Sequence, residues 1–238
     1  MRRYIRRALT LTLVLATVSV TPSAEARGQA NVDGYALGAI GSVSGSSSPK
    51  ACSDKSYSLT GAKWAGALEW SFHASSTPAG MTRKSTKLAM GRGFNNIVNA
   101  RNDCGRGDMV GATARYLGAT TQRANCSAMD GRNVVGFRRL PDGLAAQTCW
   151  WFSDGRMLEA DIQINSKLRW ATSLAGCRNQ LMLEAVMTHE VGHAFGVGHV
   201  AEATHGRLTM STQLDGLCTN REATLGLGDL LALETLYQ

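Results

Sequence analysis

The sequence predicts an α+β fold. Strand-like runs follow one another without regular helix alternation, and two strong helical patterns come late in the chain. A turn signal at Ser153-Asp154-Gly155 joins two of the runs as a hairpin.

Taken in order, Leu68–Ser75 (LEWSFHAS) alternates and is aromatic-rich, which predicts a strand ended by Pro78-Ala79-Gly80. Thr82 to about Asn102 is polar, with apolar residues at Leu88, Phe94, Ile97, Val98 and Ala100. It fits an amphipathic helix, which Gly91 and Gly93 weaken. Gly111–Leu117 and Asn133–Arg138 read as short strands, and Gly143–Phe152 and Met157–Asn165 as the hairpin. In the last of these, Leu158, Ala160, Ile162 and Ile164 alternate with Glu159, Asp161 and Gln163, predicting one buried and one wet face. Arg178–Phe195 is the best helix, with Leu181, Met182, Ala185, Val186 and Val191 on an apolar side and Gly196 as its stop. Gly228–Gln238 forms a closing helix with Asp229 near its positive end.

The chain has 238 residues, enough for a good core. Residues 1–26 read as a secretory signal. Arg2, Arg3, Arg6 and Arg7 precede an apolar run, Ala8–Val20, too short to span a bilayer, and Ala24-Glu25-Ala26 offers a cleavage site. Residues 27–56 read as a leader or linker that includes the small polar run Gly38–Lys50, and 57–238 as the globular domain. Removing four arginines and one glutamate with the signal leaves 21 basic and 17 acidic residues, so the net charge falls from +7 to +4. That is no nucleic-acid footprint. No other segment could hold the chain in a membrane, and a monomer is expected. All six cysteines, Cys52, Cys104, Cys126, Cys149, Cys177 and Cys218, follow the signal. An even number in an exported chain predicts three disulfides, with connectivity open.

Three of the five histidines fall in HEVGHAFGVGH, His189–His199. On a helix, residues four apart lie about 40° from each other on one face, so His189 and His193 can meet one cation. Imidazole at that spacing suits zinc. Glu190 lies beside the metal rather than on it, where a carboxylate can take a proton from metal-activated water. Gly196 lets the chain double back and deliver His199 as the third ligand. Three protein ligands with one open position is the pattern of a catalytic zinc.

His189, Glu190, His193, Gly196 and His199 together form HExxHxxGxxH, and here the chain resembles the metzincin metallopeptidases, among them the matrixins. The likeness covers roughly Tyr57–Gln238 and is strongest from Met187 to Met210. It implies a metzincin-like catalytic domain with a mixed twisted sheet, an active-site helix and a C-terminal helix. It also implies one catalytic Zn2+, protein or peptide substrates, and a methionine turn below the metal at Met210 in RLTMST. Leu144, Ala145, Ala146 and Gln147 resemble the edge strand along which substrate lies. Val200, after the third histidine, matches neither the matrixin serine nor the astacin glutamate. Asp161 is a candidate Ca2+ ligand by this likeness, with a solvated strand face the preferred reading. CGRGD (Cys104–Asp108) resembles the leader motif that keeps matrixins latent. It follows the first strand and helix, so a disulfide is expected at Cys104 and its RGD triplet reads as a loop. Cys177 precedes the active-site helix and Cys218 follows the methionine turn, and joining them would tether the pocket wall. The expected function is secreted zinc endopeptidase. The alternatives are a catalytically silent zinc-fold binding protein and a zinc amidase acting on cell-wall peptides.

Overall fold

The computed structural model describes residues 31–37 and 51–238. The expected signal, 1–26, and the run 38–50 lie outside the described residues.

The architecture is α+β. Its strands are β1 (Asn31–Leu37), β2 (Ser58–Leu59), β3 (Leu68–His73), β4 (Ala114–Thr120), β5 (Asn133–Arg138), β6 (Leu144–Ser153), β7 (Arg156–Asn165), β8 (Trp170–Ala171), β9 (Leu181–Met182), β10 (Val197–Gly198) and β11 (Gln213–Leu214). Its helices are α1 (Arg83–Val98), α2 (Leu183–Ala194), α3 (Glu202–His205) and α4 (Leu227–Tyr237). The main sheet is mixed, in the order β11-β1-β6-β7-β5-β3-β4. β3, β4, β5 and β7 are parallel, and β6 is antiparallel to β7. β1 falls inside the segment expected to be a leader, yet it joins the sheet antiparallel to β6 and parallel to β11. Two-stranded pairs β2–β10 and β8–β9 complete the topology. No helix among the described residues is long and apolar enough to cross a membrane.

α1 and α2 pack against each other, and α2 crosses β6 and β7. Thr82 caps α1 by accepting from the Ser85 N–H, and the helix ends before Asn102 because Ala100 turns to φ 46°. Gly91 and Gly93 cost about 1 kcal/mol each. Burial of Met90, Phe94 and Ile97 returns about 1.5–3 kcal/mol apiece, so packing decides. α2 starts five residues later than its pattern predicts. Asn179 takes φ 51°, and Leu181–Met182 pair with β8 instead. Every residue of α2 is buried. At the seam of the two helices, Glu184 accepts from Arg92, Asn96 and Arg101, which keeps its buried charge compensated.

The expected wet face of β7 is a correction. Glu159 and Asp161 are fully buried, and Gln163 nearly so, because residues 121–132 fold over them. Glu159 Oε2 accepts the backbone N–H groups of Asp130, Gly131 and Arg132. Asp161 accepts from Asn125 at 2.5 Å and Val134 at 2.6 Å, and Gln163 donates to the Ala124 carbonyl. Alternation identified the two faces, but not that a connecting segment covers the second. Both Asp161 oxygens thus face donors, the opposite of what Ca2+ requires.

The disulfides are Cys52–Cys104, Cys126–Cys149 and Cys177–Cys218. The second pins the covering segment to β6. The third joins the residues before α2 to those after Met210, as expected. Cys104 is bonded, and Asp108 of the RGD triplet accepts from the Val110 N–H within a loop.

Burial pushes the Asp161 carboxyl up to about 7, against the pull of its two N–H donors. The folded chain therefore holds a proton there that the unfolded chain releases near pH 4. Its contribution to stability is complete below that pH and is lost as pH rises through about 7. Asp161→Asn should flatten the slope of urea-unfolding free energy against pH between about 4 and 7. An unchanged slope would show that Asp161 does not carry it.

Candidate metal centre

α2 presents His189 and His193 one turn apart, with Glu190 next to His189, all fully buried. The helix stops at Phe195, and Gly196 reverses the chain at φ 91°. A Cβ at Gly196 would lie 2.1 Å from the Ala62 carbonyl oxygen, so the position excludes side chains by space as well as by torsion. The Gly196 carbonyl accepts from the Thr60 N–H, and β10 pairs with β2. The reversed chain delivers His199 to the helix face, where it keeps partial exposure.

The three Nε2 atoms lie 3.0 Å from one another. Nδ1 of His189 lies 2.7 Å from the Thr209 carbonyl, and Nδ1 of His193 lies 2.9 Å from the Val197 carbonyl. A carbonyl only accepts, so each of these rings carries its proton on Nδ1 and presents a lone pair at Nε2. Burial, then the neighbouring imidazoles, holds the His189 pKa well below 6.5 and brings His193 to about 4. His189 and His193 are therefore neutral at pH 7. Lone pairs crowded together repel unless a cation lies between them, so the donor set fits a metal ion. These three residues are the one such group among the described residues.

Glu190 is held differently. The Thr148 hydroxyl, on β6, lies 2.5 Å from Oε2, while Oε1 is buried with no hydrogen-bond partner among the described residues. Burial, with a contribution from Asp33, pushes this carboxyl up to about 8. A cation held by the imidazoles would draw it back toward the ionised form.

Met210 is buried under the site. Its Sδ lies 2.4 Å from where a Cβ on Gly192 would sit, so glycine there admits the thioether against α2. The turn is fixed from α4: Asp229 accepts from the Thr209 N–H at 2.9 Å and the Met210 N–H at 3.1 Å. One carboxylate thus holds the turn whose carbonyl orients His189. Leu144–Gln147 lie on β6, with their outer side paired to β1. The remaining histidines stand elsewhere, His73 with Ser75 and His205 with Asp54.

Thr148, Asp229 and Asp33 were missed by sequence reasoning. Asp229 was noted only as favourable to the helix dipole, and Thr148 sits in an apolar strand run with no local signal. No protein-family model matches the chain, and no curated protein is significantly similar to it.

Asp229→Ala leaves the buried N–H groups of Thr209, Met210 and Gly226 unpaired, a loss of about 3 kcal/mol or more, and should weaken metal affinity roughly 10–100-fold through the freed His189 ring. Metal titration and thermal unfolding of the variant test both effects. Gly196→Ala should fail to hold stoichiometric metal. A variant with parental metal content and unfolding temperature would overturn the account of the bend.

Proposed function

We propose that the protein is a secreted zinc endopeptidase. One observation carries the reading: three imidazoles converge on one point beside the helix that also carries Glu190, a buried carboxylate with one oxygen unpartnered among the described residues. The likeness of HExxHxxGxxH and the methionine turn to metzincins supports it. The export-type N-terminus and three disulfides favour an extracellular setting.

The donor set favours zinc. Tetrahedral ligands at about 2.0–2.1 Å stand about 3.3 Å apart, close to the spacing here. When bound, zinc supplies Lewis acidity that acidifies water and polarises a carbonyl. The chain's own groups do the rest. Glu190 accepts the water proton on Oε1 and returns it to the departing amine nitrogen. Thr148 holds Oε2, so the free oxygen is kept in one orientation. The carbonyls of Thr209 and Val197 hold two of the rings by Nδ1, as orienting partners do in metal sites. β6 is not the open edge strand expected of Leu144–Gln147: it is paired on both sides, with β1 and β7, so a peptide lying along it would have to take the main-chain partners that β1 holds.

Zinc-loaded protein should cleave casein or gelatin, lose activity to a chelator, and regain it with zinc. Glu190→Ala should keep its zinc and lose about 10²–10⁴ in kcat. A rate within a factor of about ten of the parent's removes Glu190 from the proton transfers. Thr148→Val should lower kcat by roughly ten with zinc content unchanged, since it frees the base without touching a ligand. Cleavage of cell-wall peptides alone would instead favour the amidase.

A further inference from the structure

A cleft of about 500 Å³ opens where α1 ends. Arg92, Asn95, Asn96 and Asn99 line it from one face of the helix, and Arg101 and Arg106 from the segment that follows. Among the described residues that line it there is no carboxylate and no aromatic ring, and Ala100 alone is apolar.

Its guanidinium groups are held in place from below. Glu184, in the first turn of α2, accepts from Arg92 Nε at 2.5 Å on one oxygen and from Arg101 Nη1 at 3.2 Å on the other. Asn96 Oδ1 also accepts from Arg101 Nη1, at 3.3 Å. The turn at Ala100 returns Arg101 to the side of Arg92. Arg106, from the RGD triplet, pairs with Glu234 at 3.5 Å. Its loop is tied by Asn102, which bonds the Arg106 N–H and carbonyl, and by the Cys52–Cys104 disulfide. The carboxylates sit at the floor and the cations at the rim. The side chains of Glu184 and Glu234 are 7% and 13% exposed, against 40%, 55% and 46% for Arg92, Arg101 and Arg106. Among the described residues Nη1 of Arg92, Nε and Nη2 of Arg101, and Nε and Nη1 of Arg106 keep no partner. The negative end of α1 opposes an anion only weakly, because the Asn95, Asn96 and Ile97 carbonyls already accept from the Asn99, Arg101 and Ala100 N–H groups.

We propose that this cleft binds an acidic oligosaccharide, with sugar units that carry carboxylate or sulfate groups. Guanidinium forks match the paired oxygens of such groups. The exposed carboxamides of Asn95 and Asn99, one helix turn apart, both donate and accept, as sugar hydroxyls require. With no aromatic platform the cleft gives nucleic-acid bases nothing to stack on, and with no apolar pocket it gives a peptide side chain no anchor. Its volume falls within the range of about 300–1,000 Å³ common to small-ligand sites, which suits a short stretch of a longer chain. The cleft is separate from the metal centre. Asn96 meets Glu184 and Thr188 across the seam of α1 and α2, whereas His189 is held from the Thr209 side. Binding there leaves the metal centre open and holds the protein on an acidic polysaccharide, whatever reaction the metal centre performs.

The test measures binding of three fluorescein-labelled sugars to the zinc-loaded protein by anisotropy at low ionic strength: hexagalacturonate, a heparin hexasaccharide and uncharged maltohexaose. At least one acidic hexamer should bind and maltohexaose should not, and the tighter of the two acidic sugars identifies the acid group. Arg106→Gln should weaken that binding roughly fivefold or more, and Arg101→Lys roughly threefold although the charge is kept. Arg83→Gln, an exposed charge at the other end of α1, should change it less than about twofold. Equal losses in Arg83→Gln and Arg106→Gln reduce the effect to net charge and overturn the proposal, as does failure of both acidic hexamers to bind. Unchanged affinity in the double variant Asn95→Ala/Asn99→Ala rejects the saccharide. Affinity should be the same after a chelator removes the zinc. Binding that disappears with the metal places the sugar at the metal centre and overturns the cleft. Thermal unfolding checks each variant, and Arg106→Gln against Arg83→Gln decides the matter if Arg101→Lys, which touches Glu184, does not fold.

Discussion

Three lone pairs pointed at one place is a costly arrangement, and the surrounding structure is organised to hold it. Two of the rings are turned by main-chain carbonyls. One of those carbonyls comes from the turn that Asp229 fixes, and the other from the chain reversed at Gly196. The methionine below the helix, the closing helix and the short β2–β10 pair all serve that one convergence. A metal ion relieves the repulsion, and the protein has prepaid the cost of bringing its ligands together.

Buried carboxylates recur as fasteners of irregular backbone. Asp229 grips the Met210 turn, Glu159 and Asp161 grip residues 121–134, and Glu184 gathers side chains between α1 and α2. Asp229, Glu159 and Asp161 satisfy backbone N–H donors of irregular segments that would otherwise be left unpaired. In Glu159, Asp161 and Asp229, desolvation outweighs those bonds and raises the pKa. Loop order in this fold is thus tied to titratable groups.

The metal ligands were legible because their spacing is set by the helix itself, and a glycine bend is visible as a glycine. The hairpin β6–β7 was legible through alternation and its Asp-Gly turn. What escaped notice depends on contacts between distant segments. Thr148 meets Glu190 across 42 positions, and Asp229 meets Thr209 across 20. The polar half of β7 was read as solvent-facing because periodicity distinguishes two faces but does not say what covers them. β1 had the weakest signature. Its run NVDGYAL carries an interior glycine and an aspartate, both poor strand formers, and it is ordered by the two edges it bridges.

The three covalent links share a topological property. Each cysteine is joined to its neighbour in the sequence, so the closed rings follow one another and never interleave. A chain threaded through a translocation pore N-terminus first exposes its thiols in just this order. If the chain is exported as proposed, oxidation in order of emergence would produce the observed pattern without reshuffling, with an oxidant needed on the far side of the pore and little demand on an isomerase.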